Sequence, residues 1–115
     1  MTSLSNLSCN RNTTFTKDVI WSDASGAPVD LTGYHAYLQV RSHPGRTLIL
    51  DLSDTTYGLT VDAANSKIVI AMTPEQTAPL TVGLHFYDLL IKAPSGAKYK
   101  IIEGRFVIRD TITEA

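Results

Sequence analysis

The chain carries one cysteine, Cys9, among its 115 residues, so no internal disulfide can form and the fold must hold without staples. The only cationic residue close to it in sequence is Arg11, too little to activate a thiol, and Cys9 reads as a small apolar filler. Charge is scarce too, at 18% of residues, against about a quarter in ordinary domains. Neither sign dominates: the net charge is -1, and Lys17, Arg41, Lys92, Lys98, Lys100, Arg105 and Arg109 are scattered, which argues against nucleic acid as a partner. No apolar run approaches the ~20 residues of a membrane-spanning helix, and the start, Met1-Thr-Ser-Leu-Ser-Asn6, lacks the basic and apolar regions of a secretory signal. The expectation is a chain made in the cytoplasm with no membrane partner. Asn6-Leu-Ser8 and Asn12-Thr-Thr14 match glycosylation acceptors but carry little weight without an export route.

Catalytic and metal-binding patterns are also missing. The three histidines fall apart, with His35 and His85 on different expected strands and His43 in a turn, and no second His or Cys stands at metal-ligand spacing. There is no nucleophile elbow and no glycine-rich turn into a helix long enough to cradle an oxyanion. Asp30, Asp51, Asp62 and Asp88 read as turn or solvent-facing residues. Asp51, Asp54 and Asp62 lack the alternate-residue spacing of a calcium loop. The chain is therefore not expected to be an enzyme, and neither a cofactor, a metal nor a small-molecule substrate is expected.

What remains is β-strand. Pro28-Val-Asp-Leu-Thr-Gly33 supplies turn chemistry, after which Tyr34, Ala36, Leu38 and Val40 alternate with His35, Tyr37, Gln39 and Arg41, a half-buried strand by period. Similar segments run from Thr14 to Ser22, Thr47 to Ser53, Leu59 to Asp62, Lys67 to Met72 and Lys98 to Ile108, with Gly104 as an expected bulge. Turn residues separate them: Asp23 to Pro28, His43-Pro-Gly45, Asp54 to Gly58, Asp62 to Ser66, and Ala93-Pro-Ser-Gly96. Thr73-Pro-Glu-Gln76 has the signature of a helix start, with Thr73 as N-cap, Pro74 in the first turn and Gln76 closing a capping box. Between Gly83 and Lys92, His85, Tyr87, Leu89 and Ile91 alternate with Phe86, Asp88 and Leu90. The first dozen residues read as a flexible arm or as an edge strand around Leu7 and Cys9, which divides the chain into 1–13 and a sandwich domain over 14–115.

The expected core is Trp21, Tyr34, Leu38, Val40, Ile70, Tyr87, Leu89 and Phe106. Three strands, Leu48 to Leu52, Ile68 to Met72 and Tyr99 to Ile108, break polar alternation and look apolar on both faces, although a two-sheet sandwich needs one buried face per strand. Either the arm before Thr14 covers such a strand or neighbouring subunits do, with Ile49, Val69 and Ile102 as candidate subunit contacts. The tyrosines Tyr34, Tyr37, Tyr57, Tyr87 and Tyr99 offer a sugar-stacking alternative, but Tyr57 is the only clear loop aromatic.

The helical turn before Gly83 resembles the corner joining the two sheets of immunoglobulin-like domains, with Tyr87 in the corner-tyrosine position. The runs Val19-Ile-Trp-Ser-Asp23, Gly26 to Arg41, Thr77-Ala78, Tyr87-Asp-Leu89 and Ile102 to Ile108 resemble small virion proteins of tailed bacteriophages and prophages. They are also similar to the immunoglobulin-like amino-terminal domain of some phage baseplate proteins, where an Asp-Leu-Thr-Gly corner precedes the same kind of strand. The resemblance covers nearly the whole chain after Thr14. It implies an all-β, immunoglobulin-like β-sandwich of about seven or eight antiparallel strands with one short helical turn. It further implies a non-enzymatic structural protein of the virion, made in the bacterial host cytoplasm. Its β-sheet surfaces would attach it to capsid or tail subunits, as a tail, baseplate or head-to-tail joint part or as capsid decoration, and it would form homo-oligomers. The alternative is a carbohydrate- or receptor-binding module displayed on the particle.

Overall fold

Period-two alternation decides which side chains enter the core. In β4 (His35–Arg41), Ala36, Leu38 and Val40 are fully buried while His35 is exposed and Tyr37, Gln39 and Arg41 are half-buried on the opposite face. In the computed structural model, which describes residues 3–22, 26–27, 29–43 and 46–112, this logic yields an all-β sandwich of two sheets with one helical turn. The larger sheet joins β1 (Ser3–Leu4) and β2 (Leu7–Asn10) to β9 (Lys98–Arg109), followed by β8 (Gly83–Lys92), β4 and β5 (Leu48–Ser53). The smaller sheet orders β3 (Phe15–Ile20), β7 (Lys67–Met72) and β6 (Leu59–Asp62). Parts of the expected turns, namely residues 23–25, Pro28, Pro44 and Gly45, lie outside the described residues.

The inner faces meet in a core built on Leu38, Val40, Leu52, Ile68, Ile70 and Leu89, with Phe106 packed edge-on against Phe15 at 5.7 Å and Tyr87 at 5.9 Å. Truncating a ring so enclosed, as in Phe106→Ala, costs about 3–5 kcal/mol in comparable cores. Trp21 and Tyr34, expected as core, are instead half-buried at its margin, where the Trp21 indole packs against Tyr34 and Tyr99. The helical turn α1 (Pro74–Thr77) forms as its capping box dictates: Thr73 Oγ1 accepts from the Gln76 amide and Gln76 Oε1 from the Thr73 amide. It seats the buried Thr77, whose hydroxyl accepts from the Thr13 amide and donates to the Thr13 carbonyl, tying α1 to the β2–β3 connection.

Two β-bulges explain most of what looked like two-faced strands. Val40 pairs with Leu50 and Arg41 with Leu48, so Ile49 is an extra residue in β5, half-buried against the core. Likewise Leu89 pairs with Ile102 and Leu90 with Lys100, which makes Ile101 the extra residue of β9 and turns both Ile101 and Ile102 inward. The bulge therefore falls at Ile101 and not at the expected Gly104. In β7 strict alternation holds, with Ile68, Ile70 and Met72 buried and Val69 half-buried outside.

Gly104 has a different task. β1 and β2 run parallel to β9, departing from the all-antiparallel expectation, and they share one register, Leu4 beside Glu103 and Leu7 beside Phe106, so they form one edge strand interrupted at Ser5 and Asn6. At the interruption the Ser5 carbonyl crosses so near β9 that a Cβ on residue 104 would lie 2.1 Å from its oxygen. Asn6 Oδ1 replaces the missing backbone acceptor and takes the Arg105 amide at 3.0 Å. Tyr87, paired opposite Gly104, donates its hydroxyl to the Ser5 carbonyl at 2.7 Å. Tyr87 thus latches the first strand and does not cap the corner before β8. Because Leu7 and Cys9 are buried in the common core, the first strand is integral to the sandwich.

Candidate functional site

The two sheets present very different outer faces. Outside the three-stranded sheet stand Thr16, Asp18, Thr60, Lys67, Val69 and Ala71, short or polar, with Lys67 paired to Asp18 at 3.5 Å. Ile20 is the only large apolar side chain strongly exposed there among the described residues. On the six-stranded sheet three leucines, Leu4, Leu48 and Leu84, are 82%, 42% and 51% exposed; Leu4 and Leu48 stand on opposite edge strands, and half-buried Phe86 and Leu90 follow Leu84 down β8. Exposed apolar side chains gathered on one face make it a candidate interaction surface.

Strand register arranges this outer face in rows. Arg41 of β4, Phe86 of β8 and Arg105 of β9 are direct cross-strand neighbours, with Leu48 of β5 beyond Arg41. The next row holds Asp51, Gln39, Asp88, Glu103 and Leu4 in lateral order. A third holds Tyr37, Leu90 and Lys100. The members of these rows on β8 and β9, with Leu4 and with Gln39 and Arg41 of β4, line an open trough of about 770 Å³, with Phe86, Asp88 and Leu90 along its floor and Arg41 and Arg105 on opposite flanks.

Hydrogen bonds hold the flanks in place. Arg41 donates from Nη1 to the Arg46 carbonyl at 2.8 Å and from Nη2 to Gln39 Oε1 at 2.9 Å, which directs its guanidinium across the face. Lys100 lies 3.0 Å from Glu103 and 3.9 Å from Asp88. The hydrogen bond and charge of Glu103 hold the Lys100 ammonium above its ordinary pKa. His43 leans on the Phe86 ring at 5.6 Å. An aromatic floor with fixed charges of both signs can grip a partner surface by burial and by ion pairing together.

The other singled-out residues lie elsewhere. Ile102 is 6% exposed and belongs to the core, so its assignment as a subunit contact is corrected: the bulge at Ile101 turns it inward. Ile49 is the bulged residue of β5 and packs against the core. Val69 stands half-buried on the polar three-stranded face between Asp18 and Thr60. Cys9 is 1% exposed, and burial pushes its thiol pKa up, away from reactivity. The histidines stay apart: His35 pairs with Asp54 at 2.9 Å, and the buried His85 bonds through Nε2 to the Thr81 carbonyl at 2.8 Å. Asp30 accepts from the Thr32 hydroxyl and amide as a turn residue, and these bonds lower its carboxyl pKa.

Sequence reasoning missed Leu84, Phe86 and Leu90. Their signal was present in Leu84-His-Phe-Tyr-Asp-Leu-Leu-Ile91, apolar at both parities with no bulge on β8 to explain it. No protein-family model matches the chain, and neither does any curated protein sequence.

Proposed function

We propose that this chain is a non-enzymatic structural subunit of a bacteriophage particle, an immunoglobulin-like sandwich that attaches to capsid or tail proteins through the outer face of its six-stranded sheet. The observation that carries the attachment is the contrast between the two outer faces, one mostly short and polar with Ile20 its large exposed apolar residue, the other carrying exposed Leu4, Leu48 and Leu84 with half-buried Phe86 and Leu90 between fixed charges. The immunoglobulin-like assignment draws on strand order: β4, β8 and β9 stand as the C, F and G strands of that fold, and β3, β7 and β6 as B, E and D. The virion assignment draws on the sequence runs from Val19 to Asp23 and from Gly26 to Arg41. Repetition in a symmetric particle sums individually weak contacts through effective concentration, which suits a small domain with one shallow binding face.

Mass spectrometry of particles purified by density gradient from the strain that encodes the chain tests the proposal. Peptides of this chain should co-purify at stoichiometric level with the major particle proteins; their restriction to the soluble lysate would overturn it. A second reading, a carbohydrate- or receptor-binding module, is favoured by the trough itself, whose floor exposes an aromatic ring beside charged hydrogen-bonding groups. It predicts glycan binding by the purified chain that is lost in Phe86→Ala.

A further inference from the structure

We infer that the outer face of the six-stranded sheet is complementary to itself and pairs with the same face of a second copy of this chain, about a two-fold axis lying between two oppositely charged rows. The inference rests on the reading of this face as an attachment surface between particle subunits and makes the subunit it meets a second copy of this chain. One row carries the two guanidinium groups of Arg41 and Arg105 around Phe86. The neighbouring row carries three carboxylates, Asp51, Asp88 and Glu103, around Gln39. On an outer sheet face successive rows are two residues apart along a strand, about 6.7 Å.

A two-fold axis parallel to the rows and midway between them turns a second copy face-down with its rows exchanged. Each Arg105 then stands over the Glu103 of the other copy, and each Arg41 over Gln39, with carboxylates of the acidic row to either side. The rows next outward exchange as well, so Leu84, which neighbours Val107, meets Leu90 of the second copy. Arg105 lies on Glu103 and Leu84 on Leu90, while Phe86 falls on Asp88 and Lys100 on Val107, and each contact occurs twice, as an isologous interface requires. The alternative axis, along β8, lays Arg41 over Arg105 in both directions, a like-charge juxtaposition that disfavours it. Lys100 stands one row further out and answers Asp88 and Glu103 only in part, leaving the acidic row in excess within one copy.

Size supports the pairing. Five strand widths of ~4.8 Å by a strand of ~30 Å give a projected face of roughly 700 Å², close to the ~800 Å² per partner of a standard interface. The ~10 Å spacing of stacked sheets lies within the combined reach of an arginine and a glutamate.

The test is sedimentation equilibrium of the full chain and three variants, Arg105→Glu, Glu103→Arg and the double exchange, at low and at physiological salt. The wild-type chain should dimerise, with association weakening as salt rises. Each single exchange should raise the dimer Kd about tenfold or more, and the double exchange should restore it to within about threefold, because the opposed pairs are rebuilt with reversed sign. Leu84→Glu should likewise give a monomer, and it reads the same face should an exchange variant fail to fold. A wild-type chain that stays monomeric, single exchanges without effect, or a double exchange without rescue overturns the inference. A monomer found stoichiometrically in purified particles overturns the pairing and leaves the structural-subunit reading standing. A rescued dimer from a chain absent from particles does the reverse.

Discussion

Gly104→Ala is the substitution that strikes the latch between the first strand and the rest of the sandwich. The added methyl would sit 2.1 Å from the Ser5 carbonyl oxygen and 2.8 Å from its carbon, both backbone atoms that no rotamer change can move aside. The chain must withdraw at Ser5, and three interactions go with it: the Ser5 amide to the Glu103 carbonyl at 2.9 Å, the Tyr87 hydroxyl to Ser5 at 2.7 Å, and the Arg105 amide to Asn6 at 3.0 Å. At about 0.5–1.5 kcal/mol each, their loss totals roughly 2–4 kcal/mol, with β2 still held by its own ladder from Leu7 onward. For a domain of this length that lowers Tm by about 8–15 °C. Guanidinium denaturation gives the free energy, and hydrogen exchange locates it, since amides 5 and 105 should lose protection while those of β4 and β8 keep theirs. Tyr87→Phe removes one of the same bonds, so the double variant should cost less than the sum of the two singles. A Gly104→Ala protein within about 0.5 kcal/mol of wild type would refute the latch.

Burial pushes the Tyr87 phenol up to about 12, so the folded chain holds this proton more tightly than the unfolded chain. Its contribution is therefore complete below about pH 10 and is lost as pH rises through about 12, a fall of ~1–3 kcal/mol. Alkaline denaturation curves of wild type and Tyr87→Phe should converge over that interval, and parallel curves would contradict the assignment. Thr77→Val keeps the shape of a fully buried side chain but strips both hydrogen bonds to Thr13, and should destabilise by about 1–3 kcal/mol in denaturant titrations; a change below ~0.3 kcal/mol would contradict the role given to α1.

Local rules were legible in the sequence. The alternation through Ala36, Leu38 and Val40, the capping box at Thr73 and Gln76, and the turn at Asp30 each follow from contacts a few residues apart, and each is found in the structure. What escaped depended on pairing between distant segments. Ile49 and Ile102 looked like surface apolar residues because a bulge is invisible until the partner strand sets the register. Gly104 looked like a bulge because nothing in its own strand announces the Ser5 carbonyl crossing it. The first dozen residues were ambiguous for the same reason: Leu7 and Cys9 alternate correctly for an edge strand, but only β9 supplies the ladder. The interaction face was readable in part. Leu84, Phe86 and Leu90 show the second apolar parity, whereas the charged rows they border draw on four strands and appear only after folding.

Hydroxyl-radical footprinting of the chain in its assembled state, against the same chain diluted to monomer, tests most directly which face it uses. Protection concentrated at Leu84, Phe86 and Leu90, with Ile20 and Val69 unchanged, is the predicted result. Protection at Ile20 and Val69 with the β8 residues still reactive would contradict it and move the attachment surface to the three-stranded sheet.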